Sequence, residues 1–146
     1  MNAERRRDAA FRTGSQLLGQ SAVGRFTITG KMVSAFAALS GDRSPIHVDD
    51  DFARASGYDG RLAHGALLAA LTSSVVGMDL PGKGWVLQEI AFRFRRPVYL
   101  GDALEVRVEA REYFDSVGVL QLAVKIRNQH GELAATGMLQ SGMAVP

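Results

Sequence analysis

Two short polar segments contain the side chains best suited to proton transfer. The first, residues 39–49, places the carboxylate of Asp42 and the imidazole of His47 among Gly, Ser and Pro. Loops of this kind are where a rigid scaffold usually presents reactive groups. A carboxylate and an imidazole five positions apart in a bent loop can hydrogen-bond one water molecule. The pair is therefore a candidate general acid and base.

The second segment, residues 61–65, ends in His64 and Gly65 and leads into the most apolar part of the chain. Residues 62–77 are small and apolar almost all round a helix, with no charged residue after His64, which predicts a helix buried on most sides. The first amides of a helix lack intrahelical partners, and glycine allows a ligand to approach closely. We expect the two segments to face each other and to act on one substrate.

The remaining pattern predicts the elements that must position these segments. Apolar alternation predicts a first strand at 24–29 and later strands at 85–94, 104–111, 120–127 and 132–143. Because these later strands follow one another with one apolar face each, we expect a meander of antiparallel strands curled over the central helix.

Turn and cap residues predict the loop that precedes the central helix. A helix from Gly30 is expected to end at Leu39, and Asp49 is expected to cap a short helix reaching about Ser56. Pro45 should keep residues 42–46 as a turn. Residues 1–20 are expected to be a loosely ordered lead-in, and residues 21–146 a single domain.

Composition excludes several classes of function. Apolar residues make up 47% and charged residues 22% of the 146 residues, as in ordinary soluble domains. The chain has no cysteine, so a disulfide framework, a thiolate nucleophile and a zinc–thiolate site are excluded. A formal net charge of +2 does not argue for nucleic acid, and residues 63–78 are too short and too mixed for a membrane span. We expect a cytoplasmic protein with neither kind of partner.

Three ordered motifs give a more specific indication. Residues 40–49, Ser-Gly-Asp-Arg-Ser-Pro-Ile-His-Val-Asp, resemble the signature loop Gly-Asp-x-Asn-Pro-aliphatic-His-x-acid of the MaoC-like (R)-specific enoyl-CoA hydratases, the hydratase 2 family. Ala63-His64-Gly65 and residues 96–102 are similar to two later landmarks of that family. The resemblance covers residues 22–143 and implies the hot-dog fold, an α+β fold. Ser44 departs from the pattern, because a shorter hydroxyl stands where the family has Asn.

The resemblance implies a lyase that reversibly hydrates trans-2-enoyl-CoA to (R)-3-hydroxyacyl-CoA. Asp42 and His47 would be the paired acid and base, and the Gly65 N–H would be the oxyanion donor. Further substrate-side positions are expected at Ser44, Pro45, His64, Arg93 and Arg95. Within this set His64 would shape its turn, and the two arginines would point outward toward a coenzyme A phosphate or an acidic carrier protein.

The resemblance also implies a homodimer that needs no metal or redox cofactor. A metal site built from Asp42, His47, Asp49 and His64 is conceivable, but the spacing matches no helical metal motif. Three alternative functions stay open. They are a hot-dog acyl-CoA thioesterase, a 3-hydroxyacyl-carrier-protein dehydratase, and a non-catalytic acyl-CoA-binding subunit.

Overall fold

A five-stranded antiparallel sheet with a long helix packed against it forms the body of the protein. The computed structural model describes residues 11–144. The helices are α1 (Gly14–Leu17), α2 (Gly30–Ser40), α3 (Pro45–Val48), α4 (Asp50–Ala55) and α5 (Gly65–Met78). The strands are β1 (Ser21–Thr27), β2 (Trp85–Phe94), β3 (Ala103–Phe114), β4 (Val119–Arg127) and β5 (Leu133–Met143). This architecture confirms the predicted α+β hot-dog fold.

Strand order is β1-β3-β4-β5-β2, and every neighbouring pair is antiparallel. The predicted meander is therefore correct only for β3, β4 and β5. Strand β2 crosses to the far edge and pairs with β5, and β1 pairs with β3. Alternating hydrophobicity shows which face of a strand is buried, but it contains no information about which strand lies next to it.

The core lies between the inner face of the sheet and α5. The alternating side chains of β3 and β4 are all at most 2% exposed: Leu104, Val106, Val108, Ala110, Leu120, Leu122, Val124 and Ile126. Burying one large aliphatic side chain of this kind stabilises the fold by about 1.5–3 kcal/mol. The inner face of the sheet therefore holds α5, and with it the second polar segment, in a fixed position.

Helix α5 is less enclosed than its sequence predicts. It begins at Gly65 rather than residue 62, and Leu67, Leu68, Thr72, Val75 and Val76 are buried. A face of small residues, which includes Ala66, Ala70, Ser73 and Gly77, is exposed to solvent. The lack of charge on this helix is thus only partly explained by burial within one chain.

Residues 11–20 depart from the expectation of a loosely ordered lead-in. Leu17 is completely buried in the core, and Arg12 donates hydrogen bonds to the main-chain carbonyls of Asp79 and Pro81, beyond the end of α5. Residues 1–10, the rest of the predicted lead-in, lie outside the described residues. Across residues 11–144, no helix combines the length and the apolar character needed to span a membrane.

Candidate active site

Asp42 follows the end of α2 in a turn that its own side chain helps to close. Gly41 ends the helix in the left-handed conformation, with φ of 78°. The Ser40 hydroxyl accepts a hydrogen bond from the Asp42 N–H at 3.1 Å, and Asp42 Oδ1 accepts one from the Ser44 N–H at 3.1 Å. One carboxylate oxygen thus holds the loop, and the other, Oδ2, remains available for chemistry.

His47 lies on α3, a single helical turn whose first two residues the sequence predicted as part of a turn. Pro45 keeps Ser44 out of the helix as expected, but Pro45 is itself the first helical residue, where its fixed φ and missing N–H are tolerated. The His47 Nδ1–H donates to the Leu62 carbonyl at 2.8 Å, because a carbonyl can only accept. The Leu62 N–H donates in turn to the Ile46 carbonyl at 3.1 Å. These two bonds join the first polar segment to the second.

The acid and the base face each other without touching. His47 Nε2 lies 3.9 Å from Asp42 Oδ2, which is longer than a hydrogen bond. A water molecule about 2.8 Å from both atoms fits this separation. The Asp42 side chain is 51% exposed and that of His47 is 15% exposed, so solvent reaches the pair from one side.

His64 lies between the two segments and contacts the pair. Its Nε2 is 2.9 Å from the Asp42 carbonyl oxygen, and its ring stacks on that of His47 with centroids 3.9 Å apart and planes 25° apart. Phe36 packs against the ring from α2, with centroids 5.0 Å apart. The imidazole is therefore a fixed part of the site.

Gly65 begins α5, directly after His64 in the chain. A Cβ at this position would lie 2.7–3.1 Å from the ring atoms of Phe94, so a larger residue would require Phe94 to move. The N–H of a first helical residue has no intrahelical acceptor and lies at the positive end of the helix dipole. The motif at residues 96–102 holds this helix end in place, because the Ala63 N–H donates to the Val98 carbonyl at 2.8 Å.

A cleft of about 380 Å³ opens at this point. Its lining is mainly apolar and consists of His47, Tyr58, Leu62, Ala63, Gly65, Leu68, Phe94, Arg95, Arg96, Pro97 and Val98. The sequence did not single out Tyr58 or Phe94 as site residues, and Arg96 entered only with the motif at residues 96–102 and the arginines beside it. Alternation predicts that Phe94 points inward with Phe92. Phe94 is instead 53% exposed and forms part of the cleft wall.

Besides His64, the predicted substrate-side residues lie in three places. Arg95 lines the cleft, whereas Arg93 lies in a separate groove on the outer face of the sheet with Thr136 and Lys125. Ser44 and Pro45 form the loop and the start of α3 and are not among the cleft-lining residues. The structure therefore groups Asp42, His47 and His64 beside Ser44, whose N–H bonds Asp42. His47, Gly65 and Arg95 share the cleft, and Arg93 lies apart.

The same cluster contains atoms of the kind that ligate metal ions. Potential ligand atoms of Asp42, His47 and His64 lie within 4.8 Å of one another. Asp49 is not among them, because its carboxylate caps α4 and accepts the amides of Asp51 and Phe52. The lone pairs of an imidazole lie in the plane of its ring. The planes of these two rings are stacked and only 25° apart, so they do not converge on one ion between them. This geometry fits a metal poorly, and the absence of a metal cofactor stays a prediction.

Comparison with known proteins agrees with the three motifs. The family model described as MaoC like domain matches residues 17–130. The chain is 39% identical over 105 residues to the (R)-specific enoyl-CoA hydratase of Aeromonas caviae, covering 72% of this chain and 78% of that protein. It is 44% identical over 85 residues to the 3-hydroxybutyryl-CoA dehydratase of Methylorubrum extorquens, covering 58% of this chain and 54% of that protein.

A solved structure is similar over most of the chain. The unliganded R-hydratase PhaJ1 of Pseudomonas aeruginosa superposes with a TM-score of 0.84 at 33% identity, covering 92% of this chain and 86% of that one. The family match, the sequence relatives and the fold lead to the same assignment. The chain belongs to the MaoC-like domain family.

Proposed function

We propose that this protein is a hydro-lyase that reversibly hydrates trans-2-enoyl-CoA to (R)-3-hydroxyacyl-CoA. The observation on which this rests is the placement of Asp42 Oδ2 and His47 Nε2, 3.9 Å apart, next to a cleft whose wall includes Gly65. Hydration needs a base, an acid and a donor for the thioester oxygen, and this arrangement supplies all three. The (R) configuration is supported by the names of the relatives.

The Asp42–His47 pair performs the proton transfers. His47 donates through Nδ1 to Leu62, so Nε2 presents its lone pair toward a water shared with Asp42. As the water oxygen bonds to C3, the pair accepts one proton and a proton is delivered to C2. The elements of one water are added and no electron is gained or lost, so the reaction needs no redox cofactor. Positioned proton transfer of this kind contributes about 10²- to 10⁴-fold in rate.

Gly65 stabilises the charge that develops on the thioester oxygen. Its N–H begins α5, where the unpaired amides and the helix dipole favour a negative charge. The absence of a side chain lets the Phe94 ring pack against the main chain here, beside the N–H. Losing one donor of this type costs about 10²- to 10³-fold in kcat.

The acyl group and the coenzyme take different parts of the cleft in this proposal. The apolar wall formed by Leu62, Leu68 and Val98 suits an acyl chain, and the exposed guanidinium of Arg95 suits a phosphate of coenzyme A. An acidic carrier protein could use the same cation. We therefore propose that the substrate is an acyl thioester, and coenzyme A is the carrier to test first. We also propose that the protein is cytoplasmic.

The proposal includes a homodimer. Strand β2 is at the edge of the sheet and exposes large apolar side chains, with Val86 at 55% and Ile90 at 40%. An apolar open edge of this kind favours pairing with another strand. The exposed face of small residues on α5 offers a second surface that a partner could cover. Pairing of two copies through these surfaces is a closed, two-fold arrangement.

One assay separates the candidate functions. Purified protein is incubated with crotonyl-CoA while the absorbance of the conjugated enoyl thioester and the release of free thiol are followed together. The proposal predicts loss of the enoyl band with the thioester intact and a product of (R) configuration. Thiol release would instead indicate a thioesterase, and binding without either change would indicate a non-catalytic subunit.

A further inference from the structure

The imidazole of His64 is placed where local stability does not explain it. His64 occupies the N-cap position of α5, yet its side chain makes no capping hydrogen bond. Ser, Thr, Asp and Asn cap helices through a side-chain oxygen, which imidazole lacks. Its Nδ1 is also buried and has no hydrogen-bond partner within the described part of the chain. Such an atom costs about 1–3 kcal/mol, which an apolar ring would avoid.

The contacts of this ring lie on the acid and base pair instead. The Nε2–H donates to the Asp42 carbonyl at 2.9 Å, so it holds the main chain from which the carboxylate projects. One face of the ring stacks on His47 at 3.9 Å and limits where that imidazole can tilt. His64 itself is 2% exposed and is held by Phe36, so it is a rigid support for both groups.

The pair needs such a support because its two members are not bonded to each other. At 3.9 Å, Asp42 Oδ2 and His47 Nε2 are too far apart for a direct hydrogen bond that would set their separation. Asp42 follows Gly41, whose left-handed conformation leaves the turn dependent on local hydrogen bonds. The separation must therefore be set through other contacts, and His64 contacts both sides.

We propose that His64 is a positioning residue for the Asp42–His47 pair. By bonding the main chain at Asp42 and stacking on His47, it keeps Oδ2 and Nε2 directed at one shared water molecule. This inference rests on the proposed hydration reaction. It assigns a purpose to a buried imidazole that neither caps its helix nor is among the cleft-lining residues.

The variant His64→Phe tests the proposal most cleanly. Phenylalanine keeps an aromatic ring against His47 and Phe36 but removes the donor to Asp42 and the unpaired Nδ1. We expect the thermal stability to equal or exceed that of the wild type, because a buried unsatisfied atom is lost. We expect kcat for crotonyl-CoA to fall about 10- to 100-fold, with little change in KM, because misplacement by about 1 Å can cost that much.

Two further variants separate positioning from packing. His64→Gln restores a nitrogen donor near the Nε2 position, and it should retain more activity than His64→Phe. Thr72→Val is the matched control, because Thr72 is a buried polar residue on α5 whose hydroxyl bonds only to its own helix at Leu68. The control should leave kcat unchanged.

A double-mutant cycle gives the decisive comparison. With His47→Ala in the background there is no pair left to position, so adding His64→Phe should cost only a few-fold. A loss as large as that in the wild-type background would contradict the proposal, as would a wild-type kcat in His64→Phe.

The failure of this inference is distinguishable from failure of the proposed function. Turnover of crotonyl-CoA by the wild type tests the function alone. A crystal structure of His64→Phe tests positioning alone. The expected result is a displaced Asp42 main chain, and an unchanged 3.9 Å separation would overturn the inference.

Discussion

Replacing Gly65 by alanine should separate activity from stability. The new methyl would lie 2.7 Å from Cζ, 2.8 Å from Cε2 and 3.1 Å from Cε1 of Phe94, closer than van der Waals contact allows. These atoms are the far end of a side chain that is 53% exposed. The ring can therefore rotate outward without disturbing the buried core, and the fold should survive the substitution.

The two contributions to stability nearly cancel. Gly→Ala at a backbone conformation that alanine adopts stabilises by about 0.4–1 kcal/mol, and no positive φ is found at Gly65. A half-exposed Phe94 that moves outward loses part of its contact with the helix, a cost of about 1 kcal/mol. The free energy of unfolding should therefore change by less than about 1 kcal/mol.

The effect on catalysis should be much larger. The methyl stands beside the N–H that we propose as oxyanion donor, and a displaced Phe94 alters the wall of the cleft. Alanine keeps this N–H, so the loss comes from a misplaced thioester, and misplacement by about 1 Å can cost about 10²-fold in kcat. Crotonyl-CoA hydration and urea denaturation of the same preparation measure the two effects side by side.

A matched control lies on the same helix. Within one chain, a Cβ added at Gly77 would meet no atom within 4 Å, and Gly77 lies at the far end of α5 from Gly65, on the face that we propose a partner covers. Gly77→Ala should stabilise by about 0.4–1 kcal/mol and leave kcat unchanged. Adding Phe94→Leu to Gly65→Ala shows whether the ring alone is responsible, because a smaller side chain removes the clash. If Gly65→Ala hydrates crotonyl-CoA within a few-fold of the wild type, the thioester does not need a bare main chain at Gly65.

Three further predictions concern the surroundings of the site. Arg95→Glu should raise KM for crotonyl-CoA about tenfold or more, because a charged hydrogen bond contributes about 1.5–3 kcal/mol. Lys125→Glu, on the outer face of the sheet, should leave KM unchanged. Equal KM values for the two variants would refute a contact between Arg95 and a phosphate. Ile90→Glu should give a monomer in sedimentation analysis, whereas Val117→Glu, exposed in the β3–β4 turn, should sediment as the wild type does. The Asn128 side-chain hydrogen bond, and then Arg96, lower the pKa of Glu132 below its usual value near 4.5. Glu132 thus favours folding above that value, and the melting-temperature advantage of wild type over Glu132→Gln should fade as pH drops from about 5 toward 3.

The elements with strict periodicity were predictable from the sequence. Strand β2 has the predicted bounds, and Asp49 caps α4 as expected. Local signals of this kind depend on neighbours within four residues, so they need no knowledge of the fold. Asp42, His47 and Gly65 were singled out from the sequence, because the motifs keep their order along the chain, and their catalytic roles stay predictions.

Other features depend on contacts that are distant in sequence. Strand β2 crosses to the far edge and pairs with β5, a long-range order that alternation does not encode. Arg93 and Arg95 look equivalent in a strand, yet only Arg95 lies at the cleft, since the strand ends at Phe94 and the chain turns there. The stacking of His64 on His47 joins residues of two separate loops.

The most direct test of the central claim is the turnover of crotonyl-CoA by Asp42→Asn and by His47→Ala, each compared with the wild type at equal folded concentration. Both side chains are outside the core, so both variants should keep the wild-type circular dichroism spectrum. If the pair activates one water, each variant should lose about 10²-fold or more in kcat. Activity within a few-fold of the wild type in both variants would contradict the account.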